Sequence, residues 1–116
     1  MPAIEEFESI ISEARNSGQL GPEQTEFLRS FFADMEHNAF ALYEAAILVS
    51  SRMYNREKIA QFWKEQGAWF EAQLAIANRT QHRLANVQPP PLDLNSIITA
   101  LEEIVDACSE HYEFHA

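Results

Sequence analysis

Three residues near the carboxyl end of the sequence have the chemistry to bind a transition metal. Cys108, His111 and His115 are spaced as Cys-x2-His-x3-His, which on a helix brings the three side chains to roughly one face. Thiolate and imidazole are ligands that zinc prefers. A closed tetrahedral site needs a fourth ligand, however, and no second pair of Cys and His residues supplies it. We therefore predict no metal and no cofactor, with these three residues as the candidate ligands if a metal is bound.

Two further pairs of residues have the spacing of half a carboxylate metal site. Asp34 and His37 stand three residues apart, as in one half of a di-iron helical bundle, and Glu103 and Asp106 have the same spacing. Such sites need a second half, and the sequence offers none for either pair. The three glycines form no phosphate-binding loop, and nothing marks Cys108 as a nucleophile. The sequence favours a protein that is not an enzyme, while leaving an enzyme open as the alternative.

Composition and charge narrow the class of protein. The 116 residues fit a single domain, 1–116, and the 47% hydrophobic content is enough for a core. The formal net charge of -10 disfavours nucleic acid and anionic membrane surfaces as partners. No apolar run is long enough to span a membrane, no signal peptide is evident, and a single cysteine excludes an internal disulfide. We expect a small acidic protein in a reducing cytoplasm.

Helical periodicity runs through almost the whole sequence, and no stretch alternates as a strand would. Gly67 lies inside one of the apolar stripes, where we expect it to permit close packing against another helix rather than to bend its own. Pro89-Pro90-Pro91 cannot continue a helix and separates the last two helices. The pattern predicts an all-α, four-helix-bundle-like fold, in which two long antiparallel helices, about 22–54 and 56–86, are flanked by two shorter ones, about 3–16 and 94–112.

The lengths of these helices predict how they pack. The long helices have about 30 residues each, or roughly 45 Å, and the short ones are about half as long. Both short helices are expected to fold back on the same end of the long hairpin, which leaves the half next to its turn as a two-helix arm. We predict that this arm is an interface, because its apolar side chains are too numerous to remain in water. They are Phe40, Tyr43, Ile47, Phe62, Trp63, Trp69 and Phe70.

Two arrangements would cover the arm. Two copies could pack arm against arm as an intermolecular four-helix bundle, or the second helix could break near Glu36-His37-Asn38 and fold over itself as a compact monomer. We predict a homodimer with a non-catalytic adaptor or regulatory function, exerted through contacts with an unidentified protein partner. The basic residues Arg52, Arg56 and Lys58 near the turn are expected to contact acidic helices of another subunit or an acidic partner. The alternative is a ligand-binding or enzymatic bundle with an aromatic-lined pocket.

Overall fold

A computed structural model describes residues 2–87 and 92–116, with side chains from residue 4 onward in the first helix. The triple proline 89–91 lies outside the described residues. Four helices make up the described secondary structure, so the predicted all-α fold of two long helices flanked by two shorter ones is confirmed. They are α1 (Pro2–Ser17), α2 (Pro22–Ser50), α3 (Arg56–Arg83) and α4 (Asn95–His115).

Local signals in the sequence set the ends of the helices. Gly18 follows α1 with a φ of 74°, a left-handed conformation that glycine adopts without strain. At the start of α2, the backbone N–H of Gly21 donates to the side-chain oxygen of Gln24 at 2.9 Å. The side chain of Asn55 caps α3 by accepting a hydrogen bond from the backbone N–H of Lys58 at 3.0 Å. Each cap gives an end-of-helix donor a partner that the helix itself does not provide.

Helix α2 is continuous for 29 residues, which corresponds to about 43 Å. The alternative in which it breaks near Glu36-His37-Asn38 is therefore wrong. No proline or glycine interrupts this stretch, and helix formers dominate it. The continuous long helices give the molecule an elongated shape of 53 × 23 × 18 Å. We call residues 36–50 of α2 and 56–70 of α3 the far half of the hairpin, and residues 51–55 its tip.

Helix α4 extends along α3 to the tip, and this pair makes the most extensive helix contact of the described residues. Near the other end of α3, Gln81 donates a hydrogen bond from its side-chain amide to the side-chain oxygen of Asn95 at 3.0 Å. At the tip, the guanidinium of Arg56 donates to the carbonyl oxygens of Phe114 and His115 at 2.9 and 3.1 Å. The expectation that only two helices form the far half was wrong. With 21 residues, α4 spans about 31 Å and covers most of α3 rather than half of it.

Helix α1 packs only against the other half of the hairpin. The ring of Phe7 stacks on Phe31 of α2, with 4.5 Å between centroids, and meets Phe32 edge-on at 5.9 Å. On the α3 side, Arg83 forms an ion pair of 3.3 Å with Glu8. With 16 residues, α1 is little more than half as long as α2. One side of the α2–α3 hairpin is therefore covered by α1 in its first half and by no described helix in its far half.

Gly67 lies at the close contact between α3 and α4. A Cβ atom at this position would be 3.5 Å from the Cβ of Cys108, an ordinary van der Waals distance, and α3 continues through the glycine. The two helices therefore pack closely here, but the space for one methyl group remains.

We expect Gly67→Ala to raise the free energy of unfolding by about 0.5–1 kcal/mol, because alanine is the better helix former and its methyl group fits. Gly67→Leu is expected to lower it, because the larger side chain would push α4 away. Urea unfolding followed by circular dichroism at a fixed protein concentration measures both effects. Ala68→Gly, at the exposed neighbouring position, is the control for helix propensity alone. A loss of stability in Gly67→Ala would contradict this account of the contact.

Candidate functional site: an aromatic cluster and an exposed apolar surface

Three aromatic side chains from three helices meet in the far half. The imidazole of His111 in α4 stacks on the indole of Trp63 in α3, with centroids 4.1 Å apart and planes 12° from parallel. The hydroxyl of Tyr43 in α2 lies 3.2 Å from Nε2 of His111. Trp63 is almost completely buried, and its indole Nε1 has no hydrogen-bond partner among the described residues. This aromatic cluster fixes the carboxyl-terminal part of α4 against both long helices.

The titratable groups of this cluster are driven towards their neutral forms. Burial lowers the pKa of His111 below its usual value of 6.5, the charge of His115 lowers it further, and Glu110 opposes the shift. Burial also raises the pKa of Tyr43, with smaller contributions from Cys108 and Glu110. A neutral phenol at Tyr43 can donate a hydrogen bond to Nε2 of a neutral imidazole at His111. The arrangement is that of a structural hydrogen bond between uncharged groups.

The three candidate metal ligands have different surroundings in the structure. Cys108 is buried against α3, and desolvation raises the pKa of its thiol to about 11, which disfavours the thiolate that a metal would require. His111 is engaged by Trp63 and Tyr43, while the ring of His115 lies edge-on against Phe114 at 4.9 Å. In the ranges 2–87 and 92–116, no three His, Cys, Asp or Glu side chains are grouped so that they could hold a metal ion.

The seven residues predicted to form an interface have different environments. Trp63 and Phe70 are 1% and 0% exposed, so the expectation that they lie on an uncovered arm was wrong. They belong to the core of the chain because α4 adds a third helix to the far half. Tyr43 and Phe62 are partly buried against that core. Phe40, Ile47 and Trp69 are exposed.

These three exposed residues belong to a larger apolar surface. Between residues 38 and 51 of α2 the only charged residue is Glu44, so this part of the helix is apolar around most of its circumference. The large apolar side chains that face solvent on this part of α2 are between 41% and 60% exposed, and so is Trp69 of α3. We call them the apolar surface: Phe40, Leu42, Ile47, Leu48, Val49 and Trp69.

Half of this surface, namely Leu42, Leu48 and Val49, lies outside the seven residues that the sequence predicts as an interface. Leu42 and Val49 continue the heptad stripe of the buried residues Met35, Ala39 and Ala46, and the regular spacing indicates core positions for all five. Leu48 lies outside that stripe. The signal that was available is the scarcity of charge between residues 38 and 51, because a helix with solvent on its outer side normally carries charged residues there.

The apolar surface borders a groove between α2 and α3. The groove encloses a cavity of about 380 Å³, with Leu42 and Trp69 facing each other across it. It begins one helical turn beyond the contact between α1 and α2, because Met35 in its wall is four residues from Phe31. Its remaining lining residues are Asn38, Ala41 and Gln73. The groove is thus the continuation of the one that α1 fills.

A smaller cavity of about 270 Å³ lies on the other side of α3, against α4. Trp63 and Gly67 line it from α3, and Val105 and Cys108 line it from α4. Lys64 and Glu71 are at its edge in the same helix as Trp63. Of the aromatic cluster, Trp63 is the residue that lines this cavity.

The lowered pKa of His111 predicts how stability depends on pH. A histidine with a lowered pKa in the folded state binds fewer protons when folded than when unfolded, between that pKa and about 6.5. The free energy of unfolding is therefore expected to fall as the pH drops through 6.5 and to level off below the lowered pKa. Urea unfolding at a series of pH values, compared with His111→Gln, isolates this contribution. An unchanged difference between wild type and variant from pH 8 to pH 5 would contradict it.

The reactive side chains near the aromatic cluster are engaged in packing. Burial shifts the pKa values of the Cys108 thiol, the His111 imidazole and the Tyr43 phenol in the direction that favours their neutral forms, and packing or mutual contact holds these groups in place. No helix of the described residues combines the length and the apolarity needed to cross a membrane. Comparisons of the chain with protein-family models, with curated proteins and with solved structures gave no match.

Proposed function

We propose that this protein is a non-catalytic adaptor or regulatory protein, which acts as a homodimer through protein–protein contacts. The observation that carries the proposal is the apolar surface. Burial of one large apolar side chain is worth about 1.5–3 kcal/mol when it is complete. Six such side chains, each about half exposed on the far half of the hairpin, offer several kcal/mol of binding energy to a complementary protein surface.

The shape of the apolar surface suits another protein better than a small molecule. Its residues lie on both flanks of the buried stripe of α2, since Phe40 and Leu42 are 200° apart around a helix of 100° per residue. The flank with Phe40 and Ile47 is on the same side of α2 as the start of α4. On that side, Glu36 of α2 and Ile97 of α4 line a common cavity. The flank with Leu42 borders the empty groove. Two separate apolar flanks allow one α2 helix to contact two protein surfaces.

Charge supports a protein partner over nucleic acid. At neutral pH, every charged side chain at an exposed position of α4 is acidic. The sequence has no Lys or Arg after Arg83. Phosphate groups would be repelled by this surface. The exposed acidic residues of α4 are Glu102, Glu103, Asp106, Glu110 and Glu113.

A small-molecule ligand is the second candidate, and the cavity between α3 and α4 favours it. Trp63 lines that cavity, and its buried Nε1 has a proton to donate but no acceptor among the described residues. A ligand with a hydrogen-bond acceptor and an apolar body would satisfy both features. A protein of this class should gain thermal stability from its ligand in the absence of any partner.

Affinity capture with matched variants tests the proposed function. Wild type should retain a specific partner from its native lysate, and Phe40→Ser with Ile47→Ser should retain it at least tenfold less well, because about 1.4 kcal/mol of contact energy corresponds to that factor. Ala72→Ser with Ala75→Ser, at exposed positions of α3, is the control and should capture as wild type does. Equal capture by all three proteins, together with a thermal shift in a small-molecule screen, would favour the ligand-binding alternative.

A further inference from the structure

We infer that a second copy of this chain occupies the empty half of the α2–α3 groove, with the far halves of the two α2 helices packed antiparallel about a two-fold axis. The inference rests on the proposed function and specifies its dimer. It commits one flank of the apolar surface, that of Leu42 and Val49, to the second copy. The opposite flank, with Phe40 and Ile47, stays on the outside of the dimer.

The position of α1 identifies what the groove accommodates. At 100° per residue, Phe31, Leu42 and Val49 lie within about 20° of one another around α2, so they share one flank. In the first half of the hairpin this flank is covered by a helix, because Phe7 of α1 stacks on Phe31. Beyond Phe31 the same flank is exposed up to the tip, over a length of about 22 Å from Met35 to Ser50. A helix of about 15 residues in line with α1 would complete the bundle.

The far half of α2 has the dimensions and chemistry of that missing helix. It is about 15 residues long and apolar around most of its circumference. The alanines Ala41 and Ala45 are exposed on it, so two such helices can approach closely. In a two-fold dimer each groove receives the α2 helix of the other copy, so one contact covers both grooves and the flank with Leu42 and Val49 in each copy.

The antiparallel direction follows from α1. In a parallel pairing, the two α1 helices would be at the same level on the flanks that face each other, and they would compete for the same space. In an antiparallel pairing only the far halves overlap, and each α1 lies beyond the tip of the other copy. Centred between Tyr43 and Glu44, this pairing sets Asn38 opposite Val49 of the partner subunit and Leu42 opposite Ala45 of the partner subunit.

Charge is complementary in the same arrangement. Antiparallel pairing brings the tip of one copy to the level of Met35 in the other, next to the amino-terminal end of its α1. Arg52 lies in the tip and Lys58 follows it in α3; both are exposed, and neither forms an ion pair within the described residues. The first turns of α1 carry exposed Glu5 and Glu6. Attraction between these groups favours the antiparallel register over a shifted one.

The surface area of the chain matches what such a dimer needs. The accessible surface is 7584 Å², whereas a compact protein of 13.3 kDa has about 6,450 Å². The excess of roughly 1,100 Å² exceeds the surface of about 800 Å² that each partner buries in a stable interface of standard size. Burial of about 800 Å² would leave each copy with close to the accessible surface of a compact protein of its size.

Oligomeric state is the first test. Wild type at micromolar concentration should sediment with twice the monomer mass of 13.3 kDa. Leu42→Asp with Val49→Asp should give a helical monomer, while Phe40→Asp with Ile47→Asp, on the opposite flank, should remain dimeric. Arg52→Glu with Lys58→Glu should weaken the dimer roughly fivefold at low salt and less at high salt. A wild-type mass of 13.3 kDa that persists at higher protein concentration would overturn the proposed dimer. The capture experiment above would then still test the adaptor function independently.

Disulfide cross-linking tests the direction of pairing without a destabilising substitution. Asn38→Cys and Val49→Cys, both exposed positions, are prepared separately with distinguishable tags and mixed under oxidising conditions. We expect a cross-link between the two different chains and little within either protein alone. Wild type is the control, because Cys108 is buried and its thiol pKa of about 11 keeps it unreactive. Cross-links between identical chains, with none between different ones, would overturn the antiparallel arrangement in favour of a parallel one.

Discussion

The organisation of this protein depends on a mismatch in length between helices that pack side by side. A helix of 16 residues cannot cover the flank of a helix of 29, and α2 remains apolar far beyond the point where α1 ends. With a shorter α2, or with a polar far half, the bundle would need no further helix to cover apolar surface. Because the chain keeps both the length and the apolar residues, a substantial part of its hydrophobic surface faces solvent in a single copy.

The far half can expose one side because the contact between α3 and α4 closes its opposite side. Helix α4 is held along α3 towards the tip by two contacts. They are the close packing at Gly67 and Cys108 and the stack of His111 on Trp63. The far half is therefore a three-helix unit with its own core rather than a pair of helices that could separate. A surface on such a unit is preorganised, so its association with another protein requires less ordering of the chain.

Much of the fold follows from the sequence, whereas the environment of each apolar residue does not. The spacing of apolar residues and the local caps predict four helices, and the lack of breakers from Pro22 to Ser50 is consistent with an unbroken α2. Burial depends on which neighbour covers which flank. Trp63 is buried because α4 extends over it, whereas Leu42 fits an inner stripe although no described helix covers its side. Periodicity identifies a stripe, but only tertiary contacts decide how wide a face is buried.

The residues with the most reactive side-chain types are engaged in packing contacts in this arrangement. Burial keeps the Cys108 thiol protonated and lowers the pKa of His111, which holds Tyr43 and Trp63 in place. The function we propose depends on surfaces, and α2 has two apolar flanks. If one flank joins two copies, the two-fold axis presents the other flank twice, on opposite sides of an elongated dimer. A protein built in this way could bring two partner molecules together, which one copy with a single free flank could not do.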